Sequence, residues 1–155
     1  MSGILFTDGN LVLAGYTSKK QKITGIGGKS ENNEIRWQTA IRETIEELYE
    51  FTNLNWEILN SVSEKLSFDT AISNGSYTTF VMSFQDLETI IKEVFKYSLT
   101  SKVYPVLPKN IMELLFLRIE NEDAEISNLV LIPCKSKIQI SRCFLNDIET
   151  FNNTM

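Results

Sequence analysis

Histidine is absent from all 155 residues, and that one absence removes serine–histidine and cysteine–histidine catalysis, phosphohistidine intermediates and every zinc site that needs an imidazole. Acid–base or metal chemistry must then fall to carboxylates. Cys134 and Cys143 are the only cysteines, too few for a disulfide scaffold or a four-cysteine metal site, and they read as buried thiols in a reducing compartment. Basic residues are outnumbered, fifteen Lys+Arg to twenty Asp+Glu. The resulting net charge of −5 argues against a broad cationic surface for duplex nucleic acid or anionic lipid, though not against local basic patches. No apolar run approaches a bilayer span; beyond the amino-terminal stretch the longest is residues 114–117. Residues 1–15 are fairly apolar, but Asp8-Gly9-Asn10 interrupts them, with no basic segment before and no small-residue cleavage site after. The expectation is a soluble, cytoplasmic protein with no membrane partner.

What is present suits one domain over residues 1–155. The hydrophobic share of 43% is enough to bury a core, and no repeat, low-complexity tract or long linker divides the chain. Residues 4–6 and 11–14 flank Thr7-Asp8-Gly9-Asn10, whose Asp-Gly step predicts a β-hairpin. A loop rich in Lys and Gly over residues 19–29 and a polar turn at 30–33 follow. Next comes a helix over 34–51, which has neither Gly nor Pro and carries Trp37, Ala40, Ile41, Thr44, Ile45 and Leu48 at helical spacing. Strands are predicted at 56–61, 66–68 and 77–84, with a turn at 73–76 before the last. A second helix starts with Asp86 as its N-cap and runs through Leu87, Ile90, Ile91, Val94 and Phe95. Residues 103–108, with two prolines, read as an extended linker, and 111–119 fit either a strand or a helix. A strand at 128–132 and an amphipathic helix over 138–151, with Cys143, Phe144 and Ile148 inward, complete a layered α/β domain.

Residues 28–50 hold the chemistry. Glu43, Glu46 and Glu47 stand at i, i+3 and i+4 on one helical face, apart from the stripe of Trp37, Ile41, Ile45 and Leu48. Carboxylates this close repel one another unless something cationic sits among them. Arg42, four residues before Glu46, neutralises one. The remainder suit a hard, oxygen-seeking divalent cation such as Mg²⁺ or Mn²⁺. A Glu-rich helix is by itself more often plain solvated surface. The spacing to an upstream loop decides between the two: Gly28, five residues, Glu34, seven residues, Arg42-Glu43, two residues, Glu46-Glu47. Six such identities coincide by chance roughly once in ten million placements at average composition.

This pattern resembles the Nudix box, G-x5-E-x7-R-E-U-x-E-E-x-G-U with U a bulky aliphatic, and residues 25–29 resemble the family's usual lead-in. Three positions depart from it: Tyr49 stands at the final glycine, Glu50 at the last aliphatic position and Thr44 at the earlier one. None of these removes a charged residue of the box. Because a tyrosine takes a left-handed helix terminus poorly, the helix is expected to run on and stop near Asn53. The resemblance implies an α/β/α sandwich with a mixed β-sheet between helices. It implies that Glu46 and Glu47 bind divalent cations, that Glu43 is a further ligand or orienting base, and that the carbonyl of Gly27 joins the ligands. Arg42 would hold Glu43 or Glu46, and Glu34 would fix the loop to the helix. Catalytic bases vary within the family, and Glu125 is a candidate here.

The function this implies is a Mg²⁺-dependent diphosphatase, with Mn²⁺ able to substitute, hydrolysing a pyrophosphate bond in a nucleoside diphosphate linked to another group. A nucleoside triphosphate is the first small-molecule nucleotide substrate to test. Residues 25–28 would let the backbone approach the phosphates, with Gly28 and Lys29 contacting them and Lys19, Lys20 or Lys22 as alternatives. Tyr16, Tyr77, Phe80 and Phe84 are candidates to stack on a base, although core packing explains each as well. Decapping of capped RNA by the same chemistry, a non-catalytic nucleotide-binding module, and a homodimer all stay open.

Overall fold

The structure, a computed structural model, describes residues 1–68, 70–135 and 142–154. Its central layer holds two sheets. Strand β1 (Ser2–Phe6) lies between β4 (Ile26–Gly28), antiparallel to it, and β6 (Tyr77–Met82), parallel to it, and β5 (Thr70–Asn74) closes the far edge. The second sheet is antiparallel, with β2 (Leu11–Thr17) between β3 (Lys22–Thr24) and β7 (Asn128–Pro133).

Side chains alternate across this layer as strand geometry requires. Ile4, Phe6, Leu13, Phe80 and Met82 face one core together with the buried stripes of α1 (Arg36–Tyr49), α2 (Trp56–Lys65) and α3 (Phe84–Phe95). Leu5, Val12, Ala14 and Val81 face a second core, covered by Phe144, Ile148 and Phe151 of α5 (Arg142–Thr154). The domain is therefore mixed α/β with helices on both faces of a mixed sheet, as expected. Ile138 and the side chain of Cys143 lie outside the described residues. No helix among the described residues is long and apolar enough to cross a membrane.

Five local expectations need correction. The Asp8 turn forms, its Oδ1 accepting from the Asn10 and Leu11 N–H groups at 2.8 Å each. The flanking strands nevertheless meet only at the Thr7–Val12 bridge, because both edges of β1 are taken by β4 and β6, and both edges of β2 by β3 and β7. Residues 56–61 are helical rather than extended: Asn55 caps the Ile58 N–H at 3.2 Å, and Ile58, Leu59 and Val62 form a buried helical face. Residues 66–68 form no strand; Phe68 instead packs its ring on Trp37 and Phe80, with β5 following. The N-cap of α3 is Ser83, and Asp86 completes a capping box three positions on. The segment that fitted either element is α4 (Ile111–Phe116), capped by Asn110.

Helix α1 ends earlier than expected. Tyr49 is its last residue, and Glu50 takes the left-handed conformation at φ 48°, ψ 52°. Tertiary partners draw the chain away there: Ser101 Oγ donates to the Tyr49 carbonyl, the Lys102 N–H donates to the Glu50 carbonyl at 3.1 Å, and Phe51 bridges Ser101.

Candidate active site

Arg42 is the hub of the acidic face. Its guanidinium, 6% exposed, forks onto Glu34 through Nε at 2.8 Å and Nη2 at 3.0 Å, while Nη2 also donates to the Lys29 carbonyl at 2.8 Å. Its Nη1 is shared between Glu43 at 3.1 Å and Glu46 at 3.0 Å. Arg42 thus holds both carboxylates proposed for it, and Glu34, whose carboxyl accepts from the Glu31 N–H and from Thr39, ties the loop to the helix. The Arg42 hydrogen bond is the main reason the Glu34 carboxyl sits below its ordinary pKa.

Glu47 points the other way. It is buried, its Oε2 accepts from the Gly27 N–H at 3.3 Å, and among the described residues no Lys or Arg pairs with it. Burial first, then the charges of Glu125 and Glu43, push its pKa up to about 9 against the Gly27 N–H, which pulls it down. Burial also raises Glu43 and Glu46, with Arg42 opposing in both. With no Lys or Arg on it among the described residues, the Glu47 carboxyl keeps its proton far above the ordinary carboxylate range.

The glycines make room for it. A Cβ on Gly28 would sit 2.5 Å from the Glu43 carboxyl carbon, and one on Gly27 would sit 2.6 Å from Gly3 Cα across the sheet. Strand β4 therefore lies against both α1 and β1 only because these positions carry no side chain.

Two cavities meet at Glu47 and Glu125. One, of about 310 Å³, is bounded by Glu43, Glu46, Glu50, Phe51, Leu54 and Asp123 as well. The other, of about 460 Å³, reaches from Gly25 and Gly27 to Lys19 and Lys20. The structure thus brings Glu43, Glu46, Glu47, Glu125 and Gly27 to one place, with Lys19 and Lys20 on its rim. Lys29 is exposed and borders neither cavity, contributing its carbonyl to Arg42 instead. Lys22, Tyr16, Tyr77, Phe80 and Phe84 border neither. Among the described residues, no three Asp, Glu, Cys or His side chains are already gathered at ligand spacing. The donor chemistry fits a hard cation all the same: the charged groups that act on Glu47, those of Glu125 and Glu43, offer carboxylate oxygen.

No family model and no curated protein matches this chain. Among solved structures it is similar to a hydrolase of the NUDIX family from Clostridium perfringens, at 17% identity and a TM-score of 0.43, with 99% of this chain and 95% of that one covered. The chemistry of the site rests on its own side chains.

Two residues that shape the site carry no sequence signal. Arg118 donates to the Leu48 carbonyl, to the Glu47 carbonyl at 3.3 Å and to the Ile126 carbonyl at 2.9 Å, joining the end of α1 to the segment that bears Glu125. Glu50 accepts the Glu125 N–H at 3.0 Å. All four contacts engage backbone atoms, and three of them join residues 70 to 75 positions apart, which no local spacing reveals.

Proposed function

We propose that the chain is a Nudix-type hydrolase that uses Mg²⁺, or Mn²⁺ in its place, to cleave a pyrophosphate bond in a nucleoside diphosphate linked to another group. The observation that carries this reading is Glu47: a buried carboxyl beside Glu43 and Glu125 with no Lys or Arg among the described residues to balance it. Glu43, Glu46 and Glu47 would hold the ion, with the Gly27 backbone alongside. When bound, a divalent ion supplies the positive charge that the pyrophosphate oxygens need against an attacking nucleophile. Arg42 keeps Glu43 and Glu46 on the same side by sharing one nitrogen between them. Glu125, which faces the same space, takes the proton of a water whose oxygen bonds to phosphorus, while the bridging P–O bond breaks and its electron pair leaves with the departing phosphate. The glycines at 25 and 27 admit the phosphates close to the backbone, and Lys19 and Lys20 counter the charge farther out.

A panel of nucleoside triphosphates, dinucleoside polyphosphates, nucleotide sugars, ADP-ribose and capped RNA, assayed with each metal, tests the reaction. A nucleoside triphosphate is the substrate expected to turn over; turnover of capped RNA alone would move the reading to decapping. Mg²⁺ should also raise the melting temperature by linkage, and Glu47→Gln should fold yet lose that shift. An equal shift in the variant removes Glu47 from the site.

A further inference from the structure

Glu47 and Glu125 come from segments far apart in the chain yet face the same space, so something must hold the Glu125 segment there. The hold is on the backbone at either side of Glu125. Its own N–H donates to Glu50 Oε1 at 3.0 Å, and the next carbonyl, that of Ile126, accepts from Arg118 Nη2 at 2.9 Å. Arg118 is itself fixed to the end of α1 through the Glu47 and Leu48 carbonyls and lies 5.8 Å over the Tyr104 ring. The Ile126 side chain is buried against Gly15 of β2, which fixes that side of the segment. The other side is held by Ala124, buried in the core with its N–H on the Asn121 carbonyl at 3.1 Å, and by Glu50, which makes its contact to the Glu125 N–H from a left-handed backbone. Glycine is the residue that adopts this conformation without strain.

Resting on the cation-binding reading above, we propose that Glu50 is a positioning residue: by anchoring the Glu125 N–H it holds the Glu125 carboxylate against Glu47, so that the two acidic groups stand ready before the cation arrives. Preorganisation of this kind spares the ion the work of drawing the loop in, and its loss is read as weaker ion binding.

Glu50→Gly and Glu50→Gln separate this from a structural role. Glutamine keeps an acceptor oxygen; glycine removes it while relieving the backbone. In metal-free protein, amide exchange at Glu125 should quicken about tenfold in Glu50→Gly and stay near wild type in Glu50→Gln. In thermal-shift titrations with Mg²⁺ alone, the midpoint should rise about fivefold for Glu50→Gly and stay within about twofold for Glu50→Gln. The metal-free melting temperature of Glu50→Gly should be no lower than wild type, which separates weakened ion binding from a damaged fold. An unchanged Mg²⁺ midpoint in Glu50→Gly overturns the proposal, and so does an equal weakening in both variants, which would make Glu50 a charged ligand. If wild type and Glu47→Gln show no Mg²⁺ shift at all, the cation-binding reading itself fails and takes this inference with it, whereas a normal wild-type shift isolates the fault to Glu50.

Discussion

The Tyr49 side chain is fully buried, stacked on Phe51 at 4.8 Å between ring centroids and tilted against Tyr104, and its hydroxyl has no hydrogen-bond partner among the described residues. A buried hydroxyl without a partner forfeits its hydration, so this residue contributes packing at the expense of a polar atom. Tyr49→Phe keeps the ring and deletes the unpaired atom. It should stabilise the fold by about 1 kcal/mol, read by urea denaturation at neutral pH, and leave Mg²⁺ binding unchanged. A loss of stability would show that the hydroxyl finds a partner in solution. With the Tyr49 ring in the core, the helix ends there and the left-handed turn falls on Glu50.

At the level of elements, the loop before α1 is tied to the helix by charge rather than by regular structure. Glu34, whose side chain is 2% exposed, depends on Arg42 for its counter-charge, and Arg42→Ala would leave that carboxylate buried with only the Glu31 N–H and Thr39 hydroxyl on it. Removing one partner of a buried pair costs about 3–5 kcal/mol. Arg42→Ala should therefore lower stability by that order and weaken Mg²⁺ binding as Glu43 and Glu46 lose their shared nitrogen, measured by chemical denaturation and thermal-shift titration. A stability loss below about 1 kcal/mol, the scale of an exposed pair, would contradict the burial argument. The spacing of Gly28, Glu34, Arg42, Glu43, Glu46 and Glu47 was enough to place this knot, because every partner lies within one loop and three helical turns. Amphipathic stripes likewise marked α1 and α3. What the chain did not disclose was decided at longer range. The Asp8 turn forms where its residues place it, yet the strands it joins separate because other strands occupy their edges. In α2 the capping Asn55 outweighs a run of apolar residues that fits a strand equally well. Lys29 stands beside the box, but its side chain is turned to solvent while Lys19 and Lys20, on a separate turn, reach the cavity.

Across the whole molecule, a net charge of −5 is concentrated in part where the fold can least tolerate it. The consequence is a dependence of stability on pH with a definite sign. Glu47 ionises near its ordinary value of 4.5 when unfolded and at about 9 when folded, so between those values the native state retains a proton that the unfolded chain has released. Stability must then fall as pH rises through that window. The raised Glu43 and Glu46 act in the same direction over the lower part of it. Glu34 and Glu93, both held below their ordinary values by hydrogen-bonded partners, add stability that is complete above 4.5 and vary no further. In EDTA the melting temperature should decline steadily from pH 6 to pH 8.5, Glu47→Gln should flatten most of that decline, and saturating Mg²⁺ should reverse it, because the ion takes the place of the proton. Mg²⁺ binding should accordingly tighten with rising pH over the same range. A flat profile in EDTA, or a Mg²⁺ affinity indifferent to pH, would mean that Glu47 is already ionised in the metal-free protein and that its charge is balanced without the ion.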